Sequence, residues 1–427
     1  MRGRPSGPSA VSNVHEETTI NQVRQQIWQA GLNDGSLRVA TNDENASDGE
    51  MLAESYWLVP NRSNPRLLVP AGQPRVTSRA LTKYRSLRSK PMNLARGMLG
   101  GVAALGLPLS RDKLAVFSSV TRNNISPINV LRQDLGVEKL YMATGVRLGL
   151  NAKPTLHLFD ESGNPLGFAK LAWNEASSEL ITNETKTLKN LSGGFGTVRV
   201  PQLLSSGELG GYPYLVTSPV PENARGLQNT ITAPSPAEIG AISPVIGQTQ
   251  ILELAWYQNL RSRIGGLIET EENSSPLVLA TKELVGELDH LDSYLPLIER
   301  WHGDLVPWNC ARTSDGTLWC WDWESSQRDV VGGLDVIHWN LNVQLKKKAN
   351  DVVISLKSAV RDSMLHLRSI GLDDRRIALT TAIYTLTIIE RAWTLATNGG
   401  GWSRSWISAT ELYQLADHAS QQLRSVD

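Results

Sequence analysis

Cysteine is almost absent from this chain of 427 residues: there are two, Cys310 and Cys320. That excludes a disulfide framework, and both read as free thiols of a reducing compartment. Long apolar runs are also missing. The longest uncharged apolar stretches, "GMLGGVAALGLPL" (97–109) and "IALTTAIYTLTII" (377–389), are 13 residues each. A membrane-spanning helix needs ~20, so none is expected. The opening "MRGRPSGPSAVSN" carries basic charge but no apolar core and does not read as a signal peptide. The expected location is the cytoplasm. Net charge is absent too, with 42 Lys and Arg against 42 Asp and Glu. Nothing draws the whole chain toward nucleic acid, and no nucleic-acid partner is expected. Phenylalanine is scarce, four residues against thirteen tryptophans. Such tryptophans fill cores or line pockets.

What is present suggests two or three compact units, since the chain is too long for one small core. Residues 1–14 read as disordered and 15–135 as an α/β extension. Within the extension, "TINQVRQQIWQAG" has a helical pattern, and "SYWLVP" and "PRLLVPAG" read as short strands. From Ser55 to Arg111 there is no acidic residue and there are ten Lys or Arg. Two readings apply to that basic segment, 55–111. It is a solvated face balanced by the eight acids between Glu16 and Glu54, or it makes weak peripheral contact with an anionic membrane.

Residues 139–220 read as a sheet with one inserted helix. "KLYMATGVRLGL", "PTLHLFDESG" and "NPLGFAKLAW" are its first three strands, and "DESGNP" is a turn. "SELITNETKTLKNL" is the helix, and "TVRVPQLLSSGELGGYPYLVTSPV" holds one or two more strands. A hinge near 217–225 leads to a largely helical part, 221–427. "ATKELVGELDHLDSYLPLIERW" reads as a helix. So does "DVVISLKSAVRDSMLHLRSIG", with Val353, Leu356, Val360, Met364 and Leu367 on one face.

The chemistry concentrates in "WHGDLVPWNC", residues 301–310. Asn309 follows Asp304 by five residues, and Asp322 follows Asn309 by 13, across a turn at "SDG" flanked by β-type runs. A hairpin there returns Asp322 toward Asn309. A carboxamide oxygen and a carboxylate are hard ligands suited to Mg²⁺ on nucleotide phosphates. Asp304 is then left to accept a proton from an attacking hydroxyl.

The segment "HGDLVPWN…WDWE" resembles the catalytic core of the aminoglycoside phosphotransferase and choline kinase-like family, which shares the protein-kinase fold. The resemblance spans roughly 139–420 and is sharpest over 301–324. It implies an α+β fold with a small β-rich N-lobe (139–220) and a larger helical catalytic C-lobe (221–427), preceded by the extra extension. It implies ATP and Mg²⁺ as cofactors, Asp304 as base, Asn309 and Asp322 as metal ligands, and His302 as a packing brace. The family's phosphate-binding lysine and its glutamate partner correspond to Lys170 in "GFAKLAW" and Glu184, which is taken to open the helix that follows. Its phosphate-covering loop corresponds to "TGVRLGLNAKP", with Gly145 and Gly149 four apart rather than as G-x-G-x-x-G, and Arg147 between them. Asp335 corresponds to an aspartate that braces the catalytic loop. The implied function is an ATP-dependent phosphotransferase moving the γ-phosphate to a small-molecule hydroxyl, on a sugar, an amino alcohol or an aminoglycoside-like acceptor. Asp292, Asp362 and Glu390 are candidate acceptor contacts. The alternative is a catalytically silent kinase-like binding or regulatory module linked to polysaccharide synthesis, since the extension faintly resembles leaders of bacterial phosphotransferase-like proteins associated with that process.

Overall fold

The computed structural model describes residues 9–41, 44–84, 87, 89–123, 125–149, 152–191, 194–291, 293–347, 351–399, 401–402 and 405–426. An antiparallel sheet-rich N-terminal part precedes a helical C-terminal part. The chain divides into two compact units. The first comprises 1–192 and 201–224, the second 193–200 and 225–427.

The first unit begins with α1 (Ser9–Asn33), β1 (Leu37–Thr41), β2 (Glu50–Val59), β3 (Leu67–Pro70), α2 (Pro74–Thr82), α3 (Lys90–Ala104), β4 (Lys113–Ser119) and α4 (Pro127–Asp134). It continues with β5 (Tyr141–Gly145), β6 (Thr155–Phe159), β7 (Pro165–Leu171) and α5 (Glu175–Leu191). After β8 (Gly194–Phe195) and β9 (Val198–Arg199), which belong to the second unit, come β10 (Leu203–Leu209) and β11 (Tyr212–Thr217). Of the 1–14 stretch read as disordered, 1–8 lie outside the described residues, and α1 starts at Ser9.

Nine strands form one sheet in the order β1-β4-β2-β3-β5-β6-β7-β11-β10. The strands of the extension therefore continue the same sheet as those of 139–220. The join is the β3–β5 pairing, Leu67 opposite Gly145 and Leu68 opposite Thr144. Backbone pairing between segments so far apart in sequence leaves no local pattern to read. Side chains alternate across the sheet, and one face buries Tyr56, Leu58, Leu114, Val116, Leu156 and Leu158. Ile20, Val23, Ile27 and Trp28 of α1 join that core at helical spacing.

The second unit adds β12 (Arg225–Gly226), α6 (Pro236–Ile242), β13 (Val245–Gln250), α7 (Ala255–Glu269), α8 (Pro276–Asp289), β14 (Tyr294–Trp301), β15 (Cys310–Arg312), β16 (Leu318–Cys320) and β17 (Gln327–Val331). It ends with α9 (Leu334–Lys346), α10 (Val352–Ser369), α11 (Asp374–Gly399) and α12 (Ala409–Val426). The segment read as one helix over "ATKELVGELDHLDSYLPLIERW" is instead α8 followed by strand β14. Pro296 removes a helical donor, and β14 finds ladder partners on both edges, β13 and β17. On α10 the buried stripe is Val352, Ser355, Leu356, Ala359, Ser363, His366 and Leu367. Val353, Val360 and Met364 flank it, part-buried. Among the described residues no helix is long and apolar enough to cross a membrane.

Candidate active site

β14 is held on both edges, so its C-terminal end is a fixed platform. Trp301 ends it, 1% exposed, and the chain turns at His302-Gly303-Asp304. The turn requires glycine for two reasons. Gly303 has φ +81°, and a Cβ there would land on the carbonyl oxygen of Ser325. The turn is then pinned from beneath. The backbone N–H groups of His302 and Gly303 donate to the two oxygens of Asp335, at 2.8 and 3.0 Å. Ser243 Oγ donates to Asp335 Oδ2 at 2.6 Å. Asp335 is buried in the first turn of α9, where a carboxylate suits the helix dipole.

His302 is fully buried. Its Nδ1 accepts from the Asp304 N–H at 3.3 Å, and its Nε2 faces the Trp321 carbonyl at 3.1 Å. That pairing defines a neutral ring protonated on Nε2. Burial pushes the His302 pKa down, against the opposing pull of Asp335, Asp304 and Asp322. The ring lies 4.3 Å from that of Trp323, as a brace rather than a base.

Asp304 leaves 39% of its side chain exposed. Oδ2 accepts from Asn309 Nδ2 at 2.9 Å, and the same amide reaches the Asp304 carbonyl at 3.1 Å. Oδ1 faces His338 Nε2 at 3.2 Å, and His338 Nδ1 lies 3.0 Å from the Tyr384 hydroxyl. Burial drives the Tyr384 pKa upward, so that phenol keeps its proton. Arg391 of α11 donates to the Gly303 carbonyl and lies over the Trp301 ring, 4.7 Å from its centroid. Burial lowers its pKa, opposed first by Asp304.

The hairpin places the remaining groups. A 3₁₀ turn over Pro307–Asn309 leads into β15, and β16 returns antiparallel with Cys310 opposite Cys320. The turn closes through Asp315 Oδ1, which accepts from Thr313 Oγ1 at 2.6 Å and Thr317 N–H at 3.1 Å. The Trp321 N–H donates to the Asn309 carbonyl at 3.1 Å, so Asp322 follows directly on the residue paired to Asn309. Asp322 is left-handed, φ 64° and ψ 55°, a conformation aspartate tolerates better than most residues and one enriched at functional positions. Both cysteines are free and buried, their sulfurs 3.5 Å apart.

In the first unit, Lys170 on β7 donates to both oxygens of Glu184, at 2.7 and 2.6 Å, and both side chains are buried. Glu184 does not open its helix. α5 starts at Glu175, and Glu184 shares a buried stripe with Ile181, Leu188 and Leu191. Gly145 is not in a loop either: it lies in the ladder of β5, opposite Leu67 of β3. Gly149 has φ +126°, with open space where a Cβ would sit, and Gln22 of α1 donates to its carbonyl at 3.3 Å. Arg147 is exposed. Asp292 lies outside the described residues. Asp362 accepts from Gln344 at 2.8 Å, and Glu390 from Arg263 at 2.7 Å.

No protein-family model matches the chain, and no curated protein matches it in sequence. Solved structures do. The chain is similar in fold to small-molecule kinases. One is the amicoumacin kinase hAmiN with AMP-PNP, Ca²⁺ and Ami, at 15% identity and TM-score 0.41, over 63% of this chain and 85% of that one. Another is the choline kinase LicA of Streptococcus pneumoniae, at 16% identity and TM-score 0.37, over 64% and 89%. A third is a putative fructosamine-3-kinase from Haemophilus somnus, at 12% identity and TM-score 0.39, over 68% and 96%.

Sequence reasoning missed His338, Tyr384, Arg391 and Ser243. For His338 a signal existed: it sits three residues after Asp335, on the same side of a helix. Arg391 had none, lying 88 residues from the carbonyl it holds. His366 of α10 gives the second unit a pH dependence. Its pKa is pushed down to about 4 by burial, below the ~6.5 of an unfolded histidine. The unfolded state therefore takes up the proton first as pH falls. This stabilisation is complete above ~6.5 and lost toward 4, by about 3 kcal/mol in all. The melting temperature is expected to fall over that window, and His366→Leu to flatten the fall. An unchanged slope in the variant would assign the acid sensitivity elsewhere.

Proposed function

We propose that this protein is an ATP- and Mg²⁺-dependent phosphotransferase acting on a hydroxyl group of a small molecule. The observation that carries this reading is the Asp304 loop. Its two amides are pinned by one buried carboxylate, its aspartate is oriented by Asn309, and a hairpin returns the chain so that Asp322 follows the residue paired to Asn309. A carboxylate held this rigidly yet partly exposed suits proton acceptance from a positioned hydroxyl.

The residues fit a magnesium ion. Asn309 turns its amide nitrogen to Asp304, so its oxygen is the atom that would face an ion. Asp322 is a second hard oxygen donor. Among the described residues no group of three or more His, Cys, Asp and Glu could hold a metal. Asn309 and Asp322 would therefore hold the ion together with nucleotide phosphate and water, a ligand set of the kind Mg²⁺ prefers. When bound, the ion neutralises phosphate charge. Asp304 takes the proton as the acceptor oxygen bonds to the γ-phosphorus and the bond to the ADP oxygen breaks. Lys170, oriented by Glu184, is the cation for phosphate oxygens. His338 and Tyr384 hold the Asp304 carboxylate in its rotamer.

The test is a thermal titration with ATP and ADP, with and without Mg²⁺. A ligand of the folded state raises the melting temperature with concentration, by about 2.7 kcal/mol of stabilisation at a hundred times Kd. The rise is expected with Mg²⁺, and Asp322→Ala is expected to remove its metal-dependent part. Unchanged metal dependence would take Asp322 out of the site. No rise at millimolar nucleotide would leave the silent binding module as the better reading.

A further inference from the structure

Helix α3 packs on α2 through one face, where Arg96, Gly100 and Ala103 are buried. The approach is close: a Cβ on Gly100 would overlap the methyl group of Thr82. The opposite face is unusually apolar for a surface. Leu94 is 67% exposed, Met98 66%, Val102 37% and the capping residue Leu105 77%. At 100° per residue, these four positions fall within an arc of about 80°. Leu107 extends the patch beyond the helix, and Met92 is exposed at its start. Scattered exposed apolar residues are ordinary, but a contiguous stripe marks a contact surface.

The charge around the stripe identifies the partner. Lys90 lies on the same face and lines an open depression with Asn93, Leu94, Gly97 and Met98. Arg75 on α2 and Arg111 beyond α3 are exposed. No carboxylate occurs between Ser55 and Arg111. A second copy of this face would set cations against cations, whereas an anionic plane complements it. The helix is about 22 Å long, too short to span a bilayer but long enough to lie in its interface.

We propose that α3 seats this protein on an anionic lipid surface. Leu94, Met98, Val102 and Leu105 enter the boundary between headgroups and acyl chains, and Lys90 meets lipid phosphates. One short helix with few cations gives weak, salt-sensitive attachment.

The experiment is flotation of the full chain with phosphatidylcholine vesicles, with and without about 30% phosphatidylserine, at about 50 and about 500 mM salt. Flotation is expected with the anionic vesicles at low salt, about tenfold above neutral ones, and is expected to vanish at high salt. Leu94→Asp with Met98→Asp is expected to abolish it. Both side chains are exposed, so the melting temperature is expected to stay at its wild-type value. Lys90→Glu, a milder variant, is expected to weaken binding by roughly fivefold or more. Absence of flotation at low salt would overturn the proposal, as would equal flotation of the wild type and the double variant. A lipid-free dimer abolished by the double variant, with no vesicle binding, would instead assign the face to a second copy.

Discussion

Asp304→Asn is expected to lower turnover by about a hundredfold to ten-thousandfold, the usual weight of a general base. Nucleotide affinity and melting temperature are expected to stay at wild-type levels. The amide keeps an oxygen for the Asn309 Nδ2 donor. Its NH₂ then faces His338 Nε2, which can accept if the ring moves its proton to Nδ1, toward the Tyr384 oxygen. The neighbours thus accommodate the change, while the carboxylate that takes the proton is gone. The measurement is ADP release with an acceptor found by screening sugars and amino alcohols, beside a nucleotide titration. Wild-type turnover in the variant would remove Asp304 as base. Loss of nucleotide binding along with turnover would show that it supports the ligand instead.

Gly303→Ala is expected to do the opposite kind of damage, taking stability and turnover together. A left-handed alanine costs roughly 1–2 kcal/mol. The larger cost is the collision with the Ser325 carbonyl, which is backbone and cannot swing aside as a side chain would. Relief requires the turn to lift away from Asp335 and Arg391, leaving buried donors and acceptors unmet at roughly 1–3 kcal/mol each. A total of about 4 kcal/mol or more is expected, among the largest effects of single substitutions. Chemical denaturation of the second unit measures it. A variant as stable as the wild type would mean that the turn tolerates a shift and that its rigidity is not what holds Asp304.

These two neighbours separate what each residue does, because one change is made where the loop is open and the other where it is packed. The same contrast appears on α9. Asp335 serves the backbone of the loop, while His338, one turn further, serves the Asp304 side chain.

The features legible in the sequence were the local ones. The spacing from Asp304 to Asn309, the "SDG" turn and the β-type runs around it describe a hairpin within some twenty residues, and β15 and β16 form it. Strand-type runs followed by helical runs implied a sheet-rich part and then a helical part, which is the order observed. Lys170 stood in a strand-like run in the sequence and stands on β7 in the structure. For Glu184 the pairing and the reason diverge. The ion pair forms, but from the interior of α5 rather than its start, since the helix is opened earlier by Asn174, whose side-chain oxygen accepts from the Ser177 N–H at 2.9 Å.

By itself the sequence determined the chemical groups on offer and the periodicity of most elements. Only the tertiary structure decided that "YLPLIERW" is a strand, that Gly145 belongs to a ladder rather than a loop, and that the extension and 139–220 share one sheet. It alone brought His338, Tyr384 and Arg391 to the Asp304 loop, and it alone left one face of α3 bare. The physical reason is common to all of these. Periodicity records which side of an element is apolar. It does not record which distant backbone will pair with that element, which buried donor will reach its carboxylates, or which apolar face will go uncovered.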